Sequence, residues 1–322
     1  MQEALEQGLL SAEHAVGLEL EQVPVMPLGH SSEDMALAAA RGALAEAGQA
    51  PADLDLCLYA AGTESEKGWK IAPRIARLLG AKRAVAFSVR QMSNANAMAI
   101  QIALAHLLAE PRTTSALVVT GDGLGPDNPE RWHGRTETVM GDGATALVLA
   151  RRRGRLAIRS VASYGSPEQE ADFPHLHPLR DSSYGQHPET VARPGLSELM
   201  SREKLTFLIR RRMRAAVSAA LADAGLPADD PRLAWVLQPR FTSPGLQRLM
   251  SEATPPQCKA EHLRPVHATG HFAAGDVTLN LEHLTNRCPV QTGQYTLLLS
   301  FGAGFACTVL VVEVLTDSEV RQ

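Results

Sequence analysis

Strand-length apolar runs recur along this chain, with longer alanine-rich stretches between them. Asp55 to Ala60, Ala84 to Val89 and Ala116 to Thr120 are short and rich in β-favouring residues. The alternation of such runs with helical stretches predicts an α/β fold. Met35 to Ala47 is a clear helix: Ser31 and Ser32 precede it as cap candidates, Gly48 stops it and Pro51 follows, the order of signals that brackets a helix. Ala84 to Val89 reads as a buried strand, and Asn94 to Ala109, apolar on nearly every face, as a buried helix.

A second passage repeats the first. Ala43-Leu44-Ala45-Glu46-Ala47-Gly48 is answered by Ala220-Leu221-Ala222-Asp223-Ala224-Gly225. After each glycine come a proline (Pro51, Pro227), an acidic turn and a strand, Leu54 to Tyr59 and Leu233 to Leu237. Ala144 to Ala150 closes the first half and Ala306 to Val314 the second. Recurrence of helix, turn and strand in one order is the mark of a duplication. We divide the chain into residues 1–152 and 153–322, with the basic segment Arg151 to Arg155 at the boundary. Ser163 to Leu199, rich in Pro, His, Ser and Gly, reads as an irregular excursion over a site between the halves.

Composition narrows the class of function. At 322 residues and 45% hydrophobic the chain can build a large core. A formal charge of -4 and a pI near 6.3 give no basic footprint for nucleic acid. The first residues carry no basic signal-peptide region, and the strongest apolar run, Thr308 to Val314, has only strand length. The expectation is a soluble, cytoplasmic protein acting on a small molecule or a protein-bound substrate. Cys57, Cys258, Cys288 and Cys307 are widely separated, without metal or redox spacing; Cys57 and Cys307 sit in apolar runs and read as small buried hydrophobes.

Candidate chemistry stands at Arg90-Gln91-Met92-Ser93-Asn94, between the strand and the buried helix. A nucleophile at such a junction is aimed by a rigid turn, and the helix N-terminus favours developing negative charge. Ser93 also suits an ordinary helix N-cap. The glycines of an esterase elbow are absent.

Four motifs in order carry a resemblance to the ketoacyl-ACP synthase III family of the thiolase superfamily, running from about Gly17 to Val314. The strand, the Ser93 turn and the small-residue helix resemble its nucleophile segment. Met140-Gly141-Asp142-Gly143-Ala144 is similar to its F-G-D-G-A turn, Phe301-Gly302-Ala303-Gly304-Phe305 to its C-terminal glycine loop, and Thr269-Gly270-His271-Phe272-Ala273-Ala274-Gly275-Asp276 to its G-N-T-S-A-A-S segment. Val236-Leu237-Gln238 matches the strand that ends in a catalytic histidine. The resemblance implies two similar α/β halves with packed mixed sheets, in αβαβα layers. The family's first strand has no match in Met1 to Leu18.

Where the family carries Cys, His and Asn, this chain has Ser93, Gln238 and His271. A serine hydroxyl needs an adjacent base, for which His271 is the first candidate. Loss of the second histidine at Gln238 removes an enolate-stabilising donor, which disfavours decarboxylative condensation. The pattern resembles a natural-product branch in which Q-M-(C or S)-N accompanies G-H-x-x-x-x-D. The implied activity is an acyltransferase that works by a Ser-His-Asp ping-pong mechanism, from acyl-CoA or an acyl carrier protein to a small-molecule or carrier-bound acceptor. Asp276 is either the triad carboxylate or a helix cap. Backbone N–H groups of Ser93 and of Gly302, Ala303 and Gly304 would hold the oxyanion, each on the order of 3 kcal/mol. Gln238, Asn94, Trp132 and Phe272 are the substrate-pocket candidates. No cofactor or metal is expected, since CoA or phosphopantetheine enters with the substrate, and a homodimer is expected. Two other functions stay open: a condensing starter-unit synthase, and a silent partner subunit of a synthase. His175 and His177 lack a third metal ligand, His267 is a second candidate base, and His133 lies beside Trp132 in a polar loop.

Overall fold

The computed structural model describes residues 2–16, 18, 20–62, 70–126, 128, 130–133, 138–151, 154–167, 202–266, 268–302 and 306–315. His175, His177, His267, Ala303, Gly304 and most of the Ser163 to Leu199 excursion lie outside them. In chain order the elements are α1 (Gln2–Glu6), α2 (Ala12–Ala15), α3 (Ser32–Glu46), β1 (Leu56–Ala61), α4 (Ile71–Leu79), β2 (Val85–Arg90), α5 (Ala95–Ala109), β3 (Ser115–Asp122), α6 (Glu130–His133), β4 (Gly143–Ala150) and β5 (Leu156–Gly165). They continue with α7 (Arg202–Asp223), β6 (Leu233–Leu237), α8 (Pro244–Ser251), β7 (Glu261–Leu263), α9 (Asp276–Arg287), β8 (Tyr295–Gly302) and β9 (Ala306–Val314).

Two mixed sheets form, in strand orders β2-β1-β3-β4 and β5-β9-β8-β6-β7. In the first, β1 lies parallel to both β2 and β3, and β4 runs antiparallel to β3. In the second, β6 lies parallel to both β7 and β8, and β9 runs antiparallel to β8. The two sheets thus share one pattern of a parallel trio followed by an antiparallel strand. One difference stands out: β5 seals the outer edge of β9, whereas among the described residues β4 pairs only with β3.

Side-chain alternation builds the layers. Leu56, Leu58 and Ala60 of β1 point inward to α5, while Cys57, Tyr59 and Ala61 point outward to α3 and α4. Leu310 and Val312 of β9 face inward, and Val309 and Val311 face α7 and α8. Strands covered on both faces need continuous apolar sequence, which is why these runs lack an amphipathic period. The central layer is α5 with α9, whose Ile100, Ala103, Val277 and Leu281 share one core. The order is therefore α, β, α, β, α. Truncating Ile100 to Ala in such a core costs about 2–5 kcal/mol.

The α3 start uses Ser31 rather than Ser32. Ser31 Oγ accepts from the Asp34 N–H, and the Asp34 carboxylate accepts from the Ser31 N–H, a capping box. The reading of Ala84 to Val89 as buried needs correction. β2 is an edge strand, with Val85 58% and Phe87 40% exposed. Among the described residues no helix is long and apolar enough to cross a membrane.

Candidate active site

The Ser93 turn is built before it is armed. Gln91 leaves β2 with φ -154° and ψ 39°, and a 3-10 turn over Met92–Asn94 leads into α5. Met92 takes φ 53°, a left-handed conformation that costs a residue with a Cβ about 1–2 kcal/mol. Tight surroundings hold it there. A Cβ on Gly302 would lie 2.4 Å from Gln91 O and 2.8 Å from Asn94 N, so only glycine lets β8 approach the turn this closely. Asn94 is fully buried, and its Nδ2 donates to Gln91 Oε1 at 2.6 Å and to Thr308 Oγ1 at 3.0 Å. It ties the turn to β9 rather than lining an open pocket. Neither Ser93 nor any other side chain caps α5; the cap position is Asn94.

His271 arrives from the other half. A parallel bridge joins Met140 to His271, with His271 N–H donating to Val139 O at 2.9 Å and Gly141 N–H to His271 O at 3.0 Å. Gly270 before it has φ +64°, and a Cβ there would meet Val139 O at 2.8 Å. His271 Nε2 lies 2.7 Å from Ser93 Oγ, and its Nδ1 lies 2.6 Å from Asp276 Oδ2. With the proton on Nδ1 facing the carboxylate, Nε2 presents its lone pair to the serine hydroxyl. That is the geometry of a general base acting on a nucleophile. His271 is 2% and Asp276 3% exposed, so the pair is shielded from water and its charges act at low dielectric.

The Asp276 carboxylate is saturated. Oδ1 accepts from the Phe272 N–H at 2.8 Å, and Oδ2 accepts from the Arg240 N–H at 2.7 Å as well as from His271. Asp276 is the first residue of α9, its cap position is Gly275, and no side chain caps it. The carboxylate therefore serves His271 and two backbone donors instead of the helix end. A second 3-10 turn, Ala273–Gly275, leads into α9, and Ala273 has φ 45°.

The remaining candidates separate. The Phe272 ring fills the space over Gly141 and Gly143, where a Cβ would come within 2.8 Å and 2.1 Å of it. Those glycines thus seat the residue next to the base. Asp142 between them forms a buried ion pair with Arg131 at 2.8 Å and accepts from the Met26 and Leu124 N–H groups. Trp132 packs with Leu10, Leu20, Val139 and Val266 in a separate apolar cluster. Gln238 does not join Ser93. Leu237 faces the central layer, and Gln238 turns to the outer one, where Nε2 donates to Ser251 Oγ and His262 Nδ1, both at 2.8 Å.

Arg240 was not legible as a site residue. An arginine three positions past a strand reads as a solvated turn, yet it is 4% exposed. Asp276 and Asn280, one helical turn apart on α9, were the available signal. Cys57 and Cys307 are buried, and burial pushes both thiols up to about 12, which leaves them inert. Among the described residues no group of three or more His, Cys, Asp or Glu side chains could hold a metal ion.

With this geometry in place, known proteins give it context. No family model matches the chain. The acyltransferase ChlB3 superposes with a TM-score of 0.82 at 28% identity, over 99% of this chain and 94% of that one. The fold is that of the ketoacyl-ACP synthase III enzymes of the thiolase superfamily. A beta-ketoacyl-[acyl-carrier-protein] synthase III of Rhodospirillum centenum is 28% identical over 294 residues, 86% of this chain and 82% of its own. The priming β-ketosynthase of the R1128 polyketide pathway shares the synthase III fold at TM-score 0.73 and 22% identity, covering 94% of this chain and 87% of that one.

Proposed function

We propose that this chain is an acyltransferase that carries an acyl group from acyl-CoA or an acyl carrier protein through a Ser93 ester to an acceptor in natural-product assembly. The observation that carries this reading is the continuous path Ser93 Oγ to His271 Nε2 at 2.7 Å and His271 Nδ1 to Asp276 Oδ2 at 2.6 Å. Ser93 Oγ attacks the thioester carbonyl while His271 Nε2 takes its proton. The tetrahedral oxyanion is held by the Ser93 N–H at the start of its helix and by the loop at Gly302, and residues 303 and 304 belong to the same proposal. Collapse expels the thiol, which leaves with the proton from His271. An acceptor hydroxyl, amine or thiol then gives its proton to His271, attacks the ester and releases Ser93.

Relatives named as synthases raise the alternative of starter-unit condensation. Against it stands Gln238, which faces Ser251 and His262 rather than the nucleophile. A silent subunit would have no need of a buried carboxylate, base and hydroxyl in line. Homodimer formation is part of the proposal, supported by exposed Val85 and Phe87 on the β2 edge; light scattering reads the mass. The decisive experiment is intact-mass spectrometry after exposure to a panel of acyl-CoAs and acyl carrier proteins. An acyl increment on the Ser93 peptide supports the reading, and absence of any increment across the panel overturns it. Carbon dioxide release from malonyl carrier protein as fast as acyl transfer would move condensation to first place.

A further inference from the structure

Arg240 sits beneath the His271–Asp276 pair with its side chain almost entirely enclosed. Nε donates to Asn280 Oδ1 at 2.9 Å, Nη1 to Pro265 O at 2.5 Å and to Thr269 Oγ1 at 3.0 Å, and Nη2 to Leu279 O at 3.3 Å. Two of these partners lie on the loop that leads into His271, and two lie on the first turns of α9, which begins at Asp276. The Arg240 N–H meanwhile donates to the same Asp276 oxygen that receives His271. One residue therefore binds the element carrying the base to the element carrying the acid.

Its charge is as unusual as its connectivity. Among the described residues the guanidinium makes no ion pair with a carboxylate, and its polar partners are neutral. Burial works against the cation, and Asp276 is the foremost opposing charge, ahead of Glu282. A buried arginine stays charged, so a neutral clamp of the same shape would have been the cheaper solution for packing alone.

Resting on the acyl-transfer reading for its catalytic meaning, we propose that Arg240 is a positioning residue for the triad. Its fork holds Pro265 and Thr269 against α9 so that His271 stays in line with both Ser93 and Asp276, and its positive charge balances the Asp276 carboxylate. Among the described residues, Ser93 of the 3-10 turn hydrogen-bonds His271, the Arg240 N–H beyond β6 hydrogen-bonds Asp276, and Asp122 of β3 accepts from the neighbouring Ala274 N–H at 3.1 Å. Further along α9, Glu282 attracts Arg240 and His283 is repelled by it.

The test follows the rate at which a fluorophosphonate probe phosphonylates Ser93 across pH, a reaction that needs no acyl donor: Ser93 Oγ bonds phosphorus, fluoride leaves and His271 takes the proton. Arg240→Met should label about a hundredfold more slowly, as misplacement of a catalytic group by about 1 Å does. The pH profile of labelling should move toward higher pH, because removal of a nearby positive charge favours the protonated form of the base. Arg240→Lys should return the midpoint toward wild type while recovering only part of the rate, since it keeps the charge and loses the fork. A purely structural role would lower the rate without moving the midpoint. If Arg240→Met does not fold, Thr269→Val removes one anchor at constant charge and should slow labelling several-fold at an unmoved midpoint. Wild-type rate and midpoint in Arg240→Met, an unchanged rate in Thr269→Val, or a wild-type chain that never labels overturns the proposal. Normal labelling with no acyl loading would instead defeat the acyl-transfer reading and leave this one standing.

Discussion

The two halves follow one backbone path to the site and then part in chemistry. Each has a parallel pair of strands around a central strand, a 3-10 turn whose first residue is left-handed (Met92, φ 53°; Ala273, φ 45°), and a buried helix beyond it. Among the described residues these are the two positive-φ positions not occupied by glycine. Counted from them, Ser93 corresponds to Ala274, Ala95 to Asp276 and Arg90 to His271. The first half carries a hydroxyl and no base; the second carries a base and an acid and has an alanine, Ala274, at the position of the hydroxyl. Matching backbone turns, both left-handed at their first residue, thus carry different side chains at the site.

The sharpest break in that comparison is Ser93→Ala, which should remove acyl loading altogether, a loss of about 10⁶ in rate where comparable nucleophiles are deleted. Mass spectrometry of the Ser93 peptide reads it; persisting label at the wild-type rate would refute the assignment. Asp276→Asn comes next. It should fold with near-normal stability yet lose about 10³–10⁴ in acylation rate, and a near-wild-type rate would leave His271 working without its carboxylate. Ala274→Ser places a hydroxyl at the corresponding position of the second half. Ala274 is fully buried, so no label should appear at that position and chemical denaturation should register a loss of about 1–3 kcal/mol. A labelled serine at 274 would show the halves to be chemically interchangeable. The smallest effect belongs to Ala273→Gly, which relieves left-handed strain of about 1–2 kcal/mol and gives part of it back in chain entropy. A net gain of up to about 1 kcal/mol should appear as a slightly higher melting temperature, and a loss would mean that Ala273 is not strained.

Much of this was legible in the sequence because the signals were local or repeated. The α/β class followed from strand-length runs and the two-fold repeat from the answering Ala43-to-Gly48 and Ala220-to-Gly225 segments, while the αβαβα layering came only with the family resemblance. Ser93, His271 and Asp276 lie in short motifs, so resemblance located them. What escaped depended on parity and on distance. Whether Gln238 or Leu237 faces the nucleophile turns on a one-residue register, and a five-residue apolar strand does not encode it. The edge position of β2 is a fact about its neighbours, not about Val85 or Phe87. Arg240 escaped because all its partners, from Pro265 to Asn280, come from later in the chain. Asp276 looked equally suited to capping a helix until its oxygens were seen bound to His271, Phe272 and Arg240.

The Ser93–His271 hydrogen bond spans 178 residues of chain, and that separation governs when the protein becomes chemically competent. Synthesis proceeds at about 5–20 residues per second and domains tend to fold from the N-terminus, so Ser93 leaves the ribosome roughly ten to forty seconds before its base. During that interval the first half can settle around α5 with a hydroxyl no more nucleophilic than any other serine. Because Ser93 and His271 lie in different halves, their contact exists only once the two sheets have closed on their shared central layer.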